Sequence, residues 1–171
     1  PVWENKDEYS AGIRALALLG FSFQVYFDFS GYSDIAIGSS RLFGLKIMEN
    51  FDYPYLKRNI SRFWRAWHIS LSDWIRDYIF MPLGRISQNK IWFLFFVPII
   101  SMGICGIWHG AKWGFLIWGI WHGLGISAYQ IVIQLEKKYG KYKKIQKIIL
   151  NKPISTLITF IYVTLGWLWF I

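Results

Sequence analysis

Three side chains in this 171-residue chain have the pKa range for proton transfer near neutral pH: His68, His109 and His122. Each follows a tryptophan, in the pairs Trp67-His68, Trp108-His109 and Trp121-His122. His68 lies in a basic, aromatic stretch, whereas His109 and His122 lie in glycine-rich apolar stretches. Ionisable groups at membrane depth are costly, so there they mark functional sites. The competing reading is an imidazole that makes one buried hydrogen bond and nothing more. The histidines are 41 and 13 residues apart, and no His-x-x-x-His or Cys-x-x-Cys pair is present, so no metal is expected. Cys105, the single cysteine, sits in an apolar run and reads as packing rather than as a nucleophile. There is no Gly-x-Ser-x-Gly elbow and no phosphate- or dinucleotide-binding loop. Asp28 and Asp34 are six residues apart, which is not one helical face. Each is expected to bond a neighbouring helix or an arginine, because buried acids are usually paired.

The elements that must position these groups are helical and apolar. Hydrophobic residues make up 54% of the chain and charged residues 17%, against about 25% in a soluble domain, so the excess apolar surface is expected to face lipid. Eleven Trp and ten Tyr suit the headgroup boundary. The expected fold is all-α, a polytopic transmembrane bundle forming one membrane-embedded domain over residues 1–171. Its approximate spans are 11–29, 91–108, 113–135 and 154–171, each near the roughly 20 residues that cross a hydrocarbon core. Ile91–Trp108 is the cleanest, with no charge over 18 residues and Pro98 as a kink. Residues 46–90 form an interfacial or re-entrant segment. Within it, Trp64, Trp67, Leu71, Trp74 and Tyr78 follow a 3–4–3–4 spacing. That spacing predicts one face of an amphipathic helix over about 56–80, capped by Asn59 or Ser61 and ended by Pro82 and Gly84.

The net charge of +9 falls between apolar segments and not along a polar domain, so no nucleic-acid partner is expected. Glu136–Lys152 carries seven lysines and one acid. Positive loops mark the cytoplasmic side, so segments 46–90 and 136–152 are both expected there. A first residue Pro1 and an apolar end at Ile171 are what a piece of a longer protein would show.

Four strings then resemble one family, in order and over about residues 21–125. They are Tyr26-Phe27-Asp28-Phe29-Ser30-Gly31-Tyr32-Ser33-Asp34; Asn50-Phe51 with Pro54-Tyr55; Asn59 through Ser72, running on to Trp74 and Arg76-Asp77-Tyr78; and Gly106-Ile107-Trp108-His109-Gly110-Ala111 with Trp113, Trp118-Gly119 and His122-Gly123. The chain resembles the alginate and peptidoglycan O-acetyltransferase branch of the membrane-bound O-acyltransferases. Ala66 departs from that pattern, where a second arginine is common.

The resemblance implies acyl transfer from a thioester donor, acetyl-CoA or an acyl carrier protein, to hydroxyls of an exported polysaccharide or envelope polymer. No bound cofactor is implied. His109 matches the family's near-invariant histidine and is the expected general base; His68 matches the second and would orient substrate or stabilise charge. His122 is expected to be structural. Trp64, Trp67, Trp108, Asp28 and Asp34 are expected to shape the substrate tunnel. The implied setting is the inner membrane, with an extracytoplasmic acyltransferase as a partner. Two other classes compete, a transporter or channel subunit and a non-catalytic scaffold. Neither accounts for the serial strings.

Overall fold

A computed structural model describes residues 2–86, 90–140 and 151–171, and its regular elements are helical, with one isolated bridge between Phe51 and Trp67. The first long helix, α1 (Ala11–Leu42), is capped by Ser10, whose hydroxyl accepts from the Ile13 amide at 3.4 Å. It has 32 residues, about 48 Å at the usual rise. The expectation of a span ending near residue 29 is therefore corrected. Gly31 and Gly38 do not break the helix, because the backbone ladder continues around them and each costs only about 1 kcal/mol against alanine. The chain turns at Gly44 and continues without regular structure to the bridge residue Phe51.

The segment expected to be a single amphipathic helix is four short pieces. These are α2 (Ile60–Trp64), α3 (Ile69–Ile75), a π-helical turn (Arg76–Phe80) and α4 (Met81–Ile86). Asn59 caps α2, its side-chain oxygen accepting from the Arg62 amide at 2.8 Å. The break falls at His68, whose φ of 45° is left-handed and cannot continue a right-handed helix. The aromatic residues consequently do not share a face. Trp64 and Trp67 are 7% and 5% exposed and join the core, whereas Trp74 and Tyr78 are 53% and 68% exposed. Pro82 and Gly84 lie inside α4 and not at its end. The backbone is helical without a break from Ile69 to Ile86, and the Met81 amide donates to the Arg76 carbonyl five residues back, so the wider π-helical turn comes immediately before the proline.

Among the described residues, two helices are long and apolar enough to cross a membrane, α5 (Lys90–His109) and α6 (Trp113–Tyr139). They form an antiparallel hairpin whose approach is set by glycine. A Cβ on Gly119 would lie 2.2 Å from the Met102 carbonyl oxygen, and one on Gly123 would lie 2.5 Å from the Ile99 Cα. Any larger residue would drive the helices apart, the logic of small residues spaced by four in membrane helix pairs. Pro98 deletes one amide from α5, and the Ser127 hydroxyl of α6 donates to the nearby Phe95 carbonyl at 2.7 Å.

The last helix, α7 (Lys152–Gly166), is capped by Asn151 and passes into a 3-10 turn at Trp167–Trp169. At 15 residues it is about 22 Å long, short of a hydrocarbon core of about 30 Å. It is tied to α6 reciprocally. The Trp121 Nε1–H donates to the Tyr162 carbonyl at 3.1 Å, and the Tyr162 hydroxyl donates to the Trp121 carbonyl. It is tied to α1 through the Ser22 hydroxyl, which donates to Leu18 O and lies 3.3 Å from Thr164 Oγ1. Most of lysine loop 136–152 lies outside the described residues.

Candidate active site

His68 owes its position to Asn50 and Asp52, well upstream in the chain. The Asn50 carbonyl accepts from the Ile69 amide at 3.0 Å. Its side-chain oxygen accepts from the Ser70 amide at 3.1 Å and the Ser70 hydroxyl at 2.7 Å. Asn50 thus does for α3 what an N-cap does, leaving His68 at the cap position itself with no capping bond of its own. The Asp52 amide donates to Ala66 O at 3.0 Å, and the Ser72 hydroxyl donates to Trp67 O at 3.0 Å. These bonds clamp both sides of His68 and hold its left-handed backbone, a conformation in which histidine is among the enriched residue types.

An aromatic layer supports the clamp. Phe51 meets Trp67 edge-to-face with centroids 5.2 Å apart, and Tyr26 of α1 lies 5.6 Å from Phe51. The Tyr55 hydroxyl donates to the Ser22 carbonyl at 2.6 Å, fixing the loop against α1. Three of the four strings noted in the sequence meet here, through Tyr26, through Phe51 and Tyr55, and through Trp67.

His109 ends α5, at the tight turn into α6. The Trp108 ring connects it to His68: its centroid is 6.2 Å from His68 and 4.8 Å from His109. Phe29 meets His68 edge-to-face at 4.6 Å. On the far side, His109 meets Trp118 at 5.1 Å and Phe170 at 5.2 Å, both edge-to-face. Both imidazoles are half-buried. Burial pushes the His68 pKa below its ordinary value, so that imidazole is neutral at neutral pH.

His122 is elsewhere. It is fully buried, boxed by Trp64 at 5.1 Å and Trp118 at 5.0 Å, and stacked on Phe63 at 6.4 Å. Neither ring nitrogen has a hydrogen-bond partner among the described residues. A Cβ on Gly166 would lie 2.8 Å from its Nε2, so the tip of the ring occupies the space that glycine leaves.

The residues proposed to line a tunnel divide. Trp108 packs against both histidines and is 61% exposed. Trp64 and Trp67 stand behind them in the core. Asp28 and Asp34 are both exposed on α1, and neither makes an ion pair or hydrogen bond among the described residues. The expectation that each is paired is corrected. Water or lipid headgroups, rather than an arginine, can solvate them at that exposed surface. Sequence reasoning missed Phe29, Phe115, Trp118, Trp167 and Phe170 as wall residues. Trp118 stood in a recognised string; Trp167 and Phe170 come from the chain's last residues, where only long-range packing reveals them.

A model of the membrane-bound O-acyltransferase family matches residues 8–166. The chain belongs to that family. The chain is 40% identical over 161 residues to a probable alginate O-acetylase of Pseudomonas aeruginosa, covering 94% of this chain and 29% of that protein. It is 40% identical over 152 residues to the peptidoglycan O-acetyltransferase of Helicobacter pylori, covering 89% and 27%. It is 34% identical over 157 residues to the teichoic acid D-alanyltransferase of Bacillus subtilis, covering 88% and 39%. The chain therefore spans roughly a third of the length of these O-acyltransferase relatives, and within that third it holds all three histidines described above.

Proposed function

We propose that this chain is the histidine-bearing part of an enzyme that moves an acyl group, acetyl in the first instance, from a thioester to hydroxyls of an exported polysaccharide or cell-envelope polymer. The observation that carries this reading is the meeting of His68 and His109, from separate elements, at the Trp108 ring. The activities named for the relatives support the acyl and polymer classes.

The chemistry follows from the two imidazoles. A sugar hydroxyl is a poor nucleophile and must lose its proton as its oxygen attacks the thioester carbonyl. His109 accepts that proton, the C–O bond forms, and negative charge gathers on the former carbonyl oxygen. Neutral His68 donates an N–H toward that charge or holds the hydroxyl in line. The C–S bond then breaks, and the proton on His109 passes to the leaving thiolate. The donor is a substrate, acetyl-CoA or an acylated carrier protein, and not a resident cofactor. The aromatic walls, Trp118 and Phe170 among them, exclude water that would hydrolyse the thioester.

The proposed setting is the inner membrane, with the Lys90 end of α5 and segment 136–152 facing the cytoplasm, segment 46–90 re-entering from that side so that His68 reaches the His109 end of α5, and the thioester arriving from the cytoplasm. An extracytoplasmic acyltransferase that accepts the group is the proposed partner. The test is transfer of radiolabelled acetate from acetyl-CoA, or from a carrier protein, to exported polymer by membranes bearing the full-length protein. Labelled ester above that of membranes lacking the protein supports the reading. Equal label in both would sink it.

A further inference from the structure

The His109 imidazole touches aromatic rings and makes no hydrogen bond or ion pair among the described residues. Trp108 stands 4.8 Å from it, Trp118 5.1 Å and Phe170 5.2 Å, centroid to centroid. A cation is attracted to a ring face within about 6 Å of the centroid. All three rings are steeply inclined to the imidazole, at 72°, 87° and 78° respectively. Rings so inclined set the edge of one against the face of the other. Trp118 is 1% exposed, so water screens little on its side.

Phe170 is held in place by the turn that carries it. Its amide donates to the Trp167 carbonyl at 3.0 Å. The turn sits against the start of α6 because residue 114 is glycine, where a Cβ would lie 2.4 Å from the Trp169 carbonyl oxygen. The Phe170 ring then packs on Phe115 at 4.9 Å and on Trp118 and Trp167 at 5.4 Å each. Phe170 lies past residue 166, where the family match stops, so the family strings give it no role.

Transfer of the substrate hydroxyl proton to His109 breaks an O–H bond, forms an N–H bond and leaves an imidazolium in a half-buried site. A buried charge is costly unless something opposite in sign faces it. In Ser-His-Asp enzymes a carboxylate fills that role. Around His109 the titratable groups on neighbouring elements are His68, reached through Trp108, and Lys112 in the turn to α6, and neither carries negative charge. Asp28 and Asp34 are exposed on α1 and bond to nothing among the described residues. We propose that the π faces of Trp118 and Phe170 take the carboxylate's place and stabilise the His109 imidazolium as it forms. Both act through His109 and touch no reacting atom, so they are positioning residues. The ground-state imidazole is neutral, so the attraction is stronger in the transition state and raises kcat without tightening substrate binding. The proposal rests on the acyl-transfer reading and names what stabilises the charge that reading creates.

The experiment replaces Phe170 of the full-length protein with mono-, di- and trifluorophenylalanine, which keep the ring's shape and progressively weaken the negative charge of its face. Turnover is read in membranes as radiolabelled acetate moved to exported polymer from acetyl-CoA or acetylated carrier protein, whichever serves the wild type, at matched folded protein. The expected result is a stepwise fall in kcat, reaching about three- to tenfold at the trifluoro ring, the scale of one cation–π contact. KM for the donor and the thermal midpoint stay at their wild-type values. The same series at Phe93, which meets Phe80 edge-to-face at 5.4 Å near the other end of α5, leaves kcat unchanged. A flat series at Phe170 overturns the proposal, as it would if an acid elsewhere in the full-length chain faced His109. A kcat that falls only in step with the thermal midpoint also overturns it, because the ring then does no more than pack. In both cases the wild type still transfers acetate, and the acyl-transfer reading stands. No transfer by the wild type removes that reading and this proposal together.

Discussion

Asn50 Oδ1 accepts two hydrogen bonds from Ser70, one from its amide at 3.1 Å and one from its hydroxyl at 2.7 Å. This single side chain substitutes for the cap that His68 does not supply and leaves the imidazole free to face Trp108. Asn50→Ala is expected to cost about 1–2 kcal/mol, the usual range for a lost cap. Ser70→Ala is expected to cost less, because its amide keeps its bond to Asn50. Thermal midpoints in detergent check the order, and Asn50→Asp, which retains the acceptor, should recover most of the loss.

Trp108 is the contact shared by both histidines. Trp108→Phe keeps an aromatic ring against both and is expected to retain most activity. Trp108→Ala frees both imidazoles to move, and kcat/KM is expected to fall about 10- to 100-fold, the scale of a catalytic group displaced by about 1 Å. Measurement of kcat/KM at matched protein level separates the two variants. Equal activity in both would show that the ring is dispensable.

Much of this arrangement was legible in the residues. The Trp-His pairs at 68 and 109, the Asn59 cap and the glycine-rich hairpin followed from type and spacing. The path from residue 56 to residue 80 did not. Its aromatic residues keep a helical period, but the Asn50 clamp imposes a left-handed residue at His68, and every side chain after it is re-aimed. A bond between residues twenty apart leaves no periodic trace. The same reason hid Phe170, which reaches His109 only because α7 folds back onto α6. The expected bonds of Asp28 and Asp34 to a helix or an arginine do not form among the described residues, because both acids face outward from α1.

Burial lowers the His68 pKa below 6.5. The folded state therefore binds its proton less readily than the unfolded chain. The stability tied to neutral His68 is fully present above about pH 6.5 and declines as the pH falls from there toward the folded-state pKa. Thermal midpoints are expected to drop below pH 6.5, and His68→Asn should flatten that dependence. A His68→Asn profile parallel to wild type would contradict the assignment.

Gly166 and His122 form a second coupled pair. Gly166→Ala places a methyl 2.8 Å from His122 Nε2 and 3.1 Å from Trp121 Cδ1. A cost of about 1–3 kcal/mol is expected, as for overpacking in a close-packed interior. In the His122→Ala background the same change should cost less, because the ring it displaces is gone. A double-mutant cycle reports the difference as a coupling energy. Additive costs would place the clash at Trp121.

The assignment of proton transfer to His109 is the central claim, and substitution tests it most directly. Ester-linked acetate on exported polymer is measured in cells carrying full-length wild type, His109→Ala or His122→Ala at matched expression and membrane insertion. The account predicts that His109→Ala abolishes transfer, while His122→Ala lowers it only as far as lost stability lowers the folded population. Wild-type acetate in His109→Ala would contradict the account.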